Sequence, residues 1–225
     1  MTENKYLKLM EARHSVRNYS EKAIEPEKRR ILDEYADELS KESGLRFQII
    51  YDEPTAFANS LATYGKFKGV KNYIAVFGKA KMDETVGFYG EKLVLKAQSL
   101  GLNTCWVALT FDKSVVKKLA RGDEKLYPVI SLGYGENDGV PHKNKSEKSL
   151  VVVKGETPDN FDAGVRGAML APTAINQQKF KIKCTDGIVS IVNSGIGFYT
   201  DIDLGIVKCN FELASGIKVF EKENN

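Results

Sequence analysis

Apolar residues recur along this chain with two periods. Tyr6, Leu9 and Met10 lie on one side of a short helix expected over residues 3–11. Pro26 stands where the first helical turn favours proline. Ile31, Leu32, Tyr35 and Leu39 then follow at helical spacing until Gly44, predicting a helix over 26–44. Residues 45–51, rich in Phe and Ile, read as a strand, and 73–77 as a second. Residues 53–70 show no clear period. Residues 83–100 form the longest helix candidate, with Gly101 as its stop. Asp112 can cap a helix running to about Ala120, and 126–132 reads as one strand ending at Gly133. The polar, lysine-rich residues 135–149 read as a connecting loop. Beyond it come an edge strand at 151–153, a helix over 159–170 closed by Pro172, strands at 179–184 and 187–193, and a helix from Asp201 or Asp203 to Gly216.

The order helix, strand, glycine-stopped helix occurs over roughly 26–101 and again over 158–216. It is a repeat of pattern rather than of residues. Helices mixed with hairpin-like strands predict an α+β sandwich rather than a parallel dinucleotide-binding sheet. Neither Gly133-Tyr134-Gly135 nor Gly195-Ile196-Gly197 has the third glycine that a dinucleotide fingerprint needs. The expected division is a lobe over 1–150 and a smaller lobe over 151–225, integrated as one unit.

Composition narrows the chemistry. With 225 residues, 42% hydrophobic and 28% charged, the chain can bury a proper core. A net charge of +3 is too small to argue for nucleic acid or a membrane surface as partner. No apolar run reaches membrane-spanning length, and the first residues lack a signal-peptide pattern. Three scattered cysteines without a CxxC pair, and only two histidines, point to a reduced cytoplasmic protein with no metal site and no Ser-His-Asp triad.

Two segments carry the candidate chemistry. Arg13-His14-Ser15-Val16-Arg17 puts two guanidinium groups and a hydroxyl at alternate positions. In extended chain these share a face and can converge on one anion. Taken alone, such a run is also what a solvated basic loop looks like. The second segment, Ala171-Pro172-Thr173-Ala174-Ile175-Asn176-Gln177, is a helix end stopped by proline and followed by amides, which suit the edge of a polar ring.

Together these segments resemble the two half-sites of the nitroreductase family, whose cofactor is FMN. Arg13, Ser15, Arg17 and Tyr19 match its Arg-x-Ser-x-Arg element and the following aromatic. Gly101-Leu102-Asn103-Thr104-Cys105-Trp106-Val107 resembles its Gly-Leu-Gly-x-x-Trp, with Asn103 replacing the second glycine, a residue that also tolerates left-handed backbone. Gly133-Tyr134 followed by Lys143 and Lys145 resembles its Gly-Tyr and returning basic segment. Pro172, Thr173, Ala174, Asn176 and Gln177 match its Pro-Ser-x-x-Asn segment, with Thr173 for serine, and Asp203 and Gly205 its Asp-x-Gly.

In ordinary members the Pro-Ser-x-x-Asn segment follows the first long helix and reaches the partner's flavin. Here it lies in the second repeat, and the first long helix is followed by Lys41-Glu42-Ser43-Gly44 instead. The chain therefore resembles the divergent, TM-type branch in which one polypeptide mimics the dimer. The resemblance implies one FMN per chain and a functional monomer. It implies Arg13 and Ser15, with His14 between them, at the phosphate, and Arg17 beneath the flavin pyrimidine. Cys105, Trp106 and Val107 would lie along the ring, Lys143 and Lys145 near the phosphate, and residues 172–177 at the far edge. No side chain is expected to act as catalyst, because the flavin carries the chemistry. The implied activity is NAD(P)H-dependent reduction of nitroaromatics, quinones or similar acceptors by a ping-pong mechanism. A flavin-binding sensor or storage module without turnover is the alternative.

Overall fold

The structure, a computed structural model, describes residues 4–221. The chain divides into two compact units. One comprises residues 12–82 and 93–140. The other gathers residues 4–11, 83–92 and 141–221. Helix α4, Asp83–Ser99, gives its first ten residues to the second unit and the rest to the first.

The first unit is built on an antiparallel sheet of β1 (Arg46–Ile50), β2 (Asn72–Gly78), β3 (Asn103–Val107), β4 (Lys125–Leu126) and β5 (Val129–Gly133), ordered β1-β2-β5-β3, with β4 beside the end of β2. β2 is buried at every position, as its near-continuous apolar run Tyr-Ile-Ala-Val-Phe requires of a strand covered on both faces. Helix α2, Pro26–Ser43, buries Leu32, Ala36 and Leu39 along one stripe. It stops at Gly44, whose φ of 80° is left-handed and whose N–H donates to Ser40 O. On the sheet's other side Phe57 packs with Phe67 (ring centroids 5.4 Å apart), Tyr73 (5.8 Å) and Phe111 (6.1 Å).

Three expectations change here. The single strand expected over 126–132 is two, because Pro128 has no N–H for a ladder. Tyr127 turns its own N–H to Val76 O at 2.9 Å. The helix opened by Asp112 is short, α5 (Lys113–Lys117), though its cap forms as expected, Asp112 accepting from Ser114 N at 2.9 Å. The aperiodic stretch 53–70 holds a 3₁₀ turn, Thr55–Phe57, and α3 (Ser60–Tyr64), capped by Asn59.

The second unit holds α1 (Lys5–Ala12), α6 (Glu147–Leu150), α7 (Phe161–Met169), α8 (Thr200–Ser215) and a sheet ordered β6-β7-β8. Residue 3 of the first expected helix lies outside the described residues. β6 (Val151–Lys154) runs parallel to β7 (Phe180–Thr185), with α7 between them in the chain, and β8 (Ile188–Asn193) returns antiparallel. The short α6 interrupts what reads in the sequence as plain loop. α7 and α8 pack closely because Gly164 lies against the Phe211 ring and Gly167 against Ala214 and the Asn210 carbonyl. The start of α4 crosses α8 backbone to backbone, with Gly87 against Ile202 and Gly205 against Glu84 and Phe88. The crossing is flanked by Lys208 bonded to Glu84 at 2.6 Å. Among the described residues, no helix is long and apolar enough to cross a membrane.

Candidate functional site

The matched residues fall into two groups, one in each unit. In the first unit the chain after α1 is extended and hydrogen-bonded on both sides. Ser15 bridges Thr104 in parallel, and Val16 N donates to Thr104 O at 3.1 Å. Lys68 N donates to Arg17 O at 3.0 Å, and Tyr19 N to Lys68 O at 2.9 Å. Ser20 N reaches Tyr134 O, and Glu136 N reaches Asn18 O. This backbone stitching holds the chain extended at Ser15 to Arg17, the condition under which alternate side chains share a side. Val16 and Tyr19 belong to the apolar core.

That shared side meets β3 at Cys105. Burial raises the Cys105 pKa, against lowering influences from Arg17, the Ser15 hydroxyl and Arg13. The thiol therefore stays protonated and serves as a spacer, not a nucleophile. The Tyr19 hydroxyl locks the floor of this cluster. Its oxygen lies 2.9 Å from Val16 O and 2.8 Å from Ser131 Oγ, and Ser131 Oγ lies 3.3 Å from Cys105 O, so the two hydroxyl protons serve two of these three contacts at a time. Arg13 is buried, Ser15 half-buried and Arg17 exposed, its guanidinium 5.9 Å from the Phe67 ring centre. His14 turns away from the two arginines' face to Asp138 O at 3.1 Å. Trp106 is half-buried and Val107 is core.

Asn103 corrects a sequence expectation. It opens β3 with ordinary extended backbone, and Gly101 takes the left-handed turn instead, at φ 73°. The Asn103 side chain accepts Gly135 N at 2.9 Å, joining two of the matched motifs. A glycine there would lose that bond.

In the second unit, Lys143 and Lys145, expected near the phosphate, lie instead against residues 173–178, because their backbone and the Lys145 ammonium are taken up by that turn. Lys143 O accepts Asn176 Nδ2 and Gln178 Nε2, both at 2.9 Å. Lys145 N donates to Gln178 Oε1 at 2.9 Å. The Lys145 ammonium is spent on Gln177 O at 2.7 Å and Gln178 O at 3.1 Å, so it braces this turn. Thr173 Oγ1 accepts Gln178 N at 3.1 Å, a bond that serine would make equally well. Pro172, Thr173, Ala174 and Gln177 are half-buried, whereas Ile175 and Asn176 are exposed.

Two residues of this half were missed as contributors. Gln178 is buried and is the hub between the lysine segment and the turn. Asp203, buried at the start of α8, accepts Ala174 N at 2.9 Å and Gln177 Nε2 at 2.7 Å. Its only sequence signal was the Asp-x-Gly match. A cavity of about 550 Å³ lies in this unit between α7 and the lysine segment, lined by Asn144, Glu147, Asp162, Arg166 and Met169 among others. Among the described residues, no cluster of three or more His, Cys, Asp or Glu side chains could hold a metal ion.

Residues 5–215 match the family model described as "Putative TM nitroreductase". Among solved structures, a putative nitroreductase of Thermotoga maritima superposes with a TM-score of 0.64 at 22% identity, covering 95% of this chain and 85% of that one. A putative nitroreductase of Desulfovibrio desulfuricans, solved in complex with FMN, gives 0.53 at 21% identity over 66% of this chain and 96% of its own. A putative NADH dehydrogenase/NAD(P)H nitroreductase of Bacteroides thetaiotaomicron gives 0.53 at 24%, over 66% and 97%. These likenesses show the fold. No curated protein matches.

Proposed function

The chain belongs to the putative TM nitroreductase family, and on that premise we propose that it is an FMN-dependent oxidoreductase of nitroreductase type. The observation that carries the reading is local to the first unit. Two motifs far apart in sequence, the Arg13-Ser15-Arg17 run and the Cys105-Trp106 strand, lie side by side, with Ser15 paired to Thr104 and Val16 N on the Thr104 carbonyl, so that two guanidinium groups and a hydroxyl border that strand. That donor set fits an anionic, planar cofactor. Two guanidiniums present paired N–H donors for phosphate or for an electron-rich ring edge, and Ser15 adds a neutral donor. The relative of Desulfovibrio desulfuricans solved with FMN supports the choice of cofactor.

In this reading Arg13 and Ser15 hold the phosphate end, with His14 shaping the loop through Asp138. Arg17 neutralises charge that develops on the pyrimidine side. Cys105, Trp106 and Val107 form the wall along the ring. Pro172, Thr173, Ala174, Asn176 and Gln177 supply the far edge, and Lys143 and Lys145 fix that edge. FMN, when bound, supplies two-electron chemistry between a reduced nicotinamide and an acceptor. The protein's own work is to bind, orient and keep the ring face open. NAD(P)H is the proposed donor, nitroaromatics or quinones the acceptors, and ping-pong the kinetic order. The relative named NADH dehydrogenase/NAD(P)H nitroreductase supports a nicotinamide donor.

We also read one chain as carrying both halves that a dimer ordinarily contributes, with lobes over 1–150 and 151–225 and a monomer as the working unit. Gel filtration with light scattering tests this, and a strict dimer that sheds flavin on dilution would overturn it. Free, buried cysteines suit a reducing compartment, and we place the protein in the cytoplasm. The primary experiment is a visible absorption spectrum of the purified protein with added FMN, followed by NADH and NADPH oxidation with a quinone. Stoichiometric flavin uptake with turnover well above free FMN is expected. Uptake without turnover would make it a binding module instead, and no uptake would end the reading.

A further inference from the structure

The turn at residues 174–178 follows an unfavourable backbone path. Ile175, Asn176 and Gln178 have φ of 48°, 56° and 44°. For a β-branched residue such as Ile175 that conformation is a genuine outlier. Packing does not hold it there, since Ile175 is 84% exposed. Hydrogen bonds do: Lys143 O, Thr173 and Lys145 hold residues 176–178, and one carboxylate holds Ala174 and Gln177. Asp203, 6% exposed, accepts Ala174 N through Oδ1 and Gln177 Nε2 through Oδ2. The same Gln177 amide donates to Phe198 O at 2.7 Å, so the carboxylate ties the turn to the 194–199 loop as well.

Both donors facing Asp203 are neutral. The neighbouring cations are occupied elsewhere, Lys145 on the carbonyls of Gln177 and Gln178 and Lys179 on that of Ile196. On its own helix, Asp201 accepts from Asn193 at 2.5 Å. Burial is therefore the leading influence on the carboxyl, opposed by the Gln177 side chain and the Ala174 amide, and it pushes the pKa from 3.8 to about 6.

We propose that Asp203 is the positioning residue of the 174–178 turn, and that its proton occupancy sets the balance between this closed, strained turn and an open one. Linkage fixes the direction. A closed state that raises the pKa binds the proton more tightly than an open state with a hydrated carboxyl. Acid therefore favours closure. As pH rises from about 4 to about 6, the ionised group is poorly compensated by two neutral donors and draws the turn open. Opening also releases the backbone strain. The protonated carboxyl keeps Ala174 N–H on its carbonyl oxygen, while an amide rotation that let Gln177 accept the new hydroxyl proton would give up the bond to Phe198 O. The consequence for cofactor retention rests on the reading that residues 172–177 border the flavin; the turn's own equilibrium does not.

The test is amide hydrogen exchange on the full chain without flavin, from pH 4 to 7.5. After division by the hydroxide-catalysed intrinsic rate, the opening equilibrium at Ala174 should rise about 30-fold between pH 4 and 6 and level off above about pH 7, as a shift from 3.8 to about 6 requires. Asp203→Asn should abolish the slope. A flat wild-type profile, or an unchanged slope in Asp203→Asn, would overturn the proposal. Because the wild-type series needs no variant, it decides even if the asparagine protein folds poorly. Riboflavin binding, followed by fluorescence, reads the same turn without a titrating phosphate and should weaken as pH rises through 6. Loss of that trend with the exchange slope intact would refute the link between turn and cofactor. A sloped exchange profile with no flavin uptake at any pH would uphold the clasp and sink the flavin reading.

Discussion

Gly205→Ala sets two opposing effects against each other at the α4–α8 crossing. Alanine is the better helix former, by about 1 kcal/mol in a helix interior. Were nothing else involved, the substitution would stabilise. But a methyl carbon at 205 would overlap the Glu84 carbonyl oxygen, come within 2.7 Å of Phe88 N and within 2.9 Å of the Glu84 carbonyl carbon. Ordinary carbon–oxygen approaches are about 3.3–3.6 Å even when weakly attractive. All three obstacles are main chain inside a helix, so no rotamer change relieves them. The opposite side of the crossing is equally tight, since a methyl at Gly87 would overlap Ile202 O and sit 2.9 Å from Ile206 N. The helices must separate by the order of 1 Å, loosening Ile202 and Ile206. Overpacking of this kind costs about 1–3 kcal/mol, and rigid backbone on both sides puts this site at the upper limit or beyond. The net expectation is destabilisation by about 2–3 kcal/mol. In urea, with a slope near 3 kcal/mol/M, the midpoint should fall by roughly 1 M. Gly87→Ala should behave similarly, and the double variant should cost less than the sum, because the first substitution already parts the helices. A Gly205→Ala midpoint at or above wild type would refute the close-approach reasoning and leave propensity as the governing effect.

Three other outcomes follow from the geometry. Arg46 is bonded to Glu124 at 2.9 and 2.5 Å and to Leu119 O at 2.9 Å, and lies over the Phe77 ring. The Arg46 hydrogen bond is the first reason why the Glu124 pKa is lowered, so that stability is present above the ordinary carboxylate range and lost as pH falls through the depressed value. Arg46→Ala should cost about 2–3 kcal/mol at pH 7, and denaturation midpoints across pH 3–7 should show a shallower acid decline than wild type. Arg17→Ala should weaken FMN binding by about tenfold or more and lower the flavin potential, more than Lys145→Ala does, since the lysine ammonium serves the turn; titration by flavin fluorescence with spectroelectrochemistry checks this, and equal, negligible effects would show the anion site misplaced. The buried thiols of Cys105, Cys184 and Cys209 should resist a thiol reagent until denaturant is added; fast, stoichiometric labelling of native protein would contradict their burial.

What was legible in the sequence was governed by near neighbours. The apolar stripe of α2, its Pro26 start and its Gly44 stop are all local, and they formed where expected. The extended chain at Ser15 to Arg17 is likewise local in origin. What escaped depends on distant partners. Residues 53–70 hold Ala56, Phe57, Ala62 and Phe67 in the core without a period, because each meets a different part of the sheet and its loops. Asp203 and Gln178 acquire their roles from partners some 30 residues away, at Ala174 and at the lysine segment. The break at Pro128 was readable in principle, since proline cannot serve a central ladder. Asn103 shows the opposite error, where a tolerance for left-handed backbone stood in for a hydrogen bond to Gly135.

The extended arm at Ser15 and Val16 has a second consequence. β3 is the last strand of its sheet, and Val16 N occupies the Thr104 carbonyl that would otherwise face outward. A strand left bare offers its amides and carbonyls as a template for another molecule's backbone. The same residues that present the arginines thus act as a guard rail against self-association. A tag or truncation that peeled this arm away would endanger colloidal behaviour before it touched any chemistry.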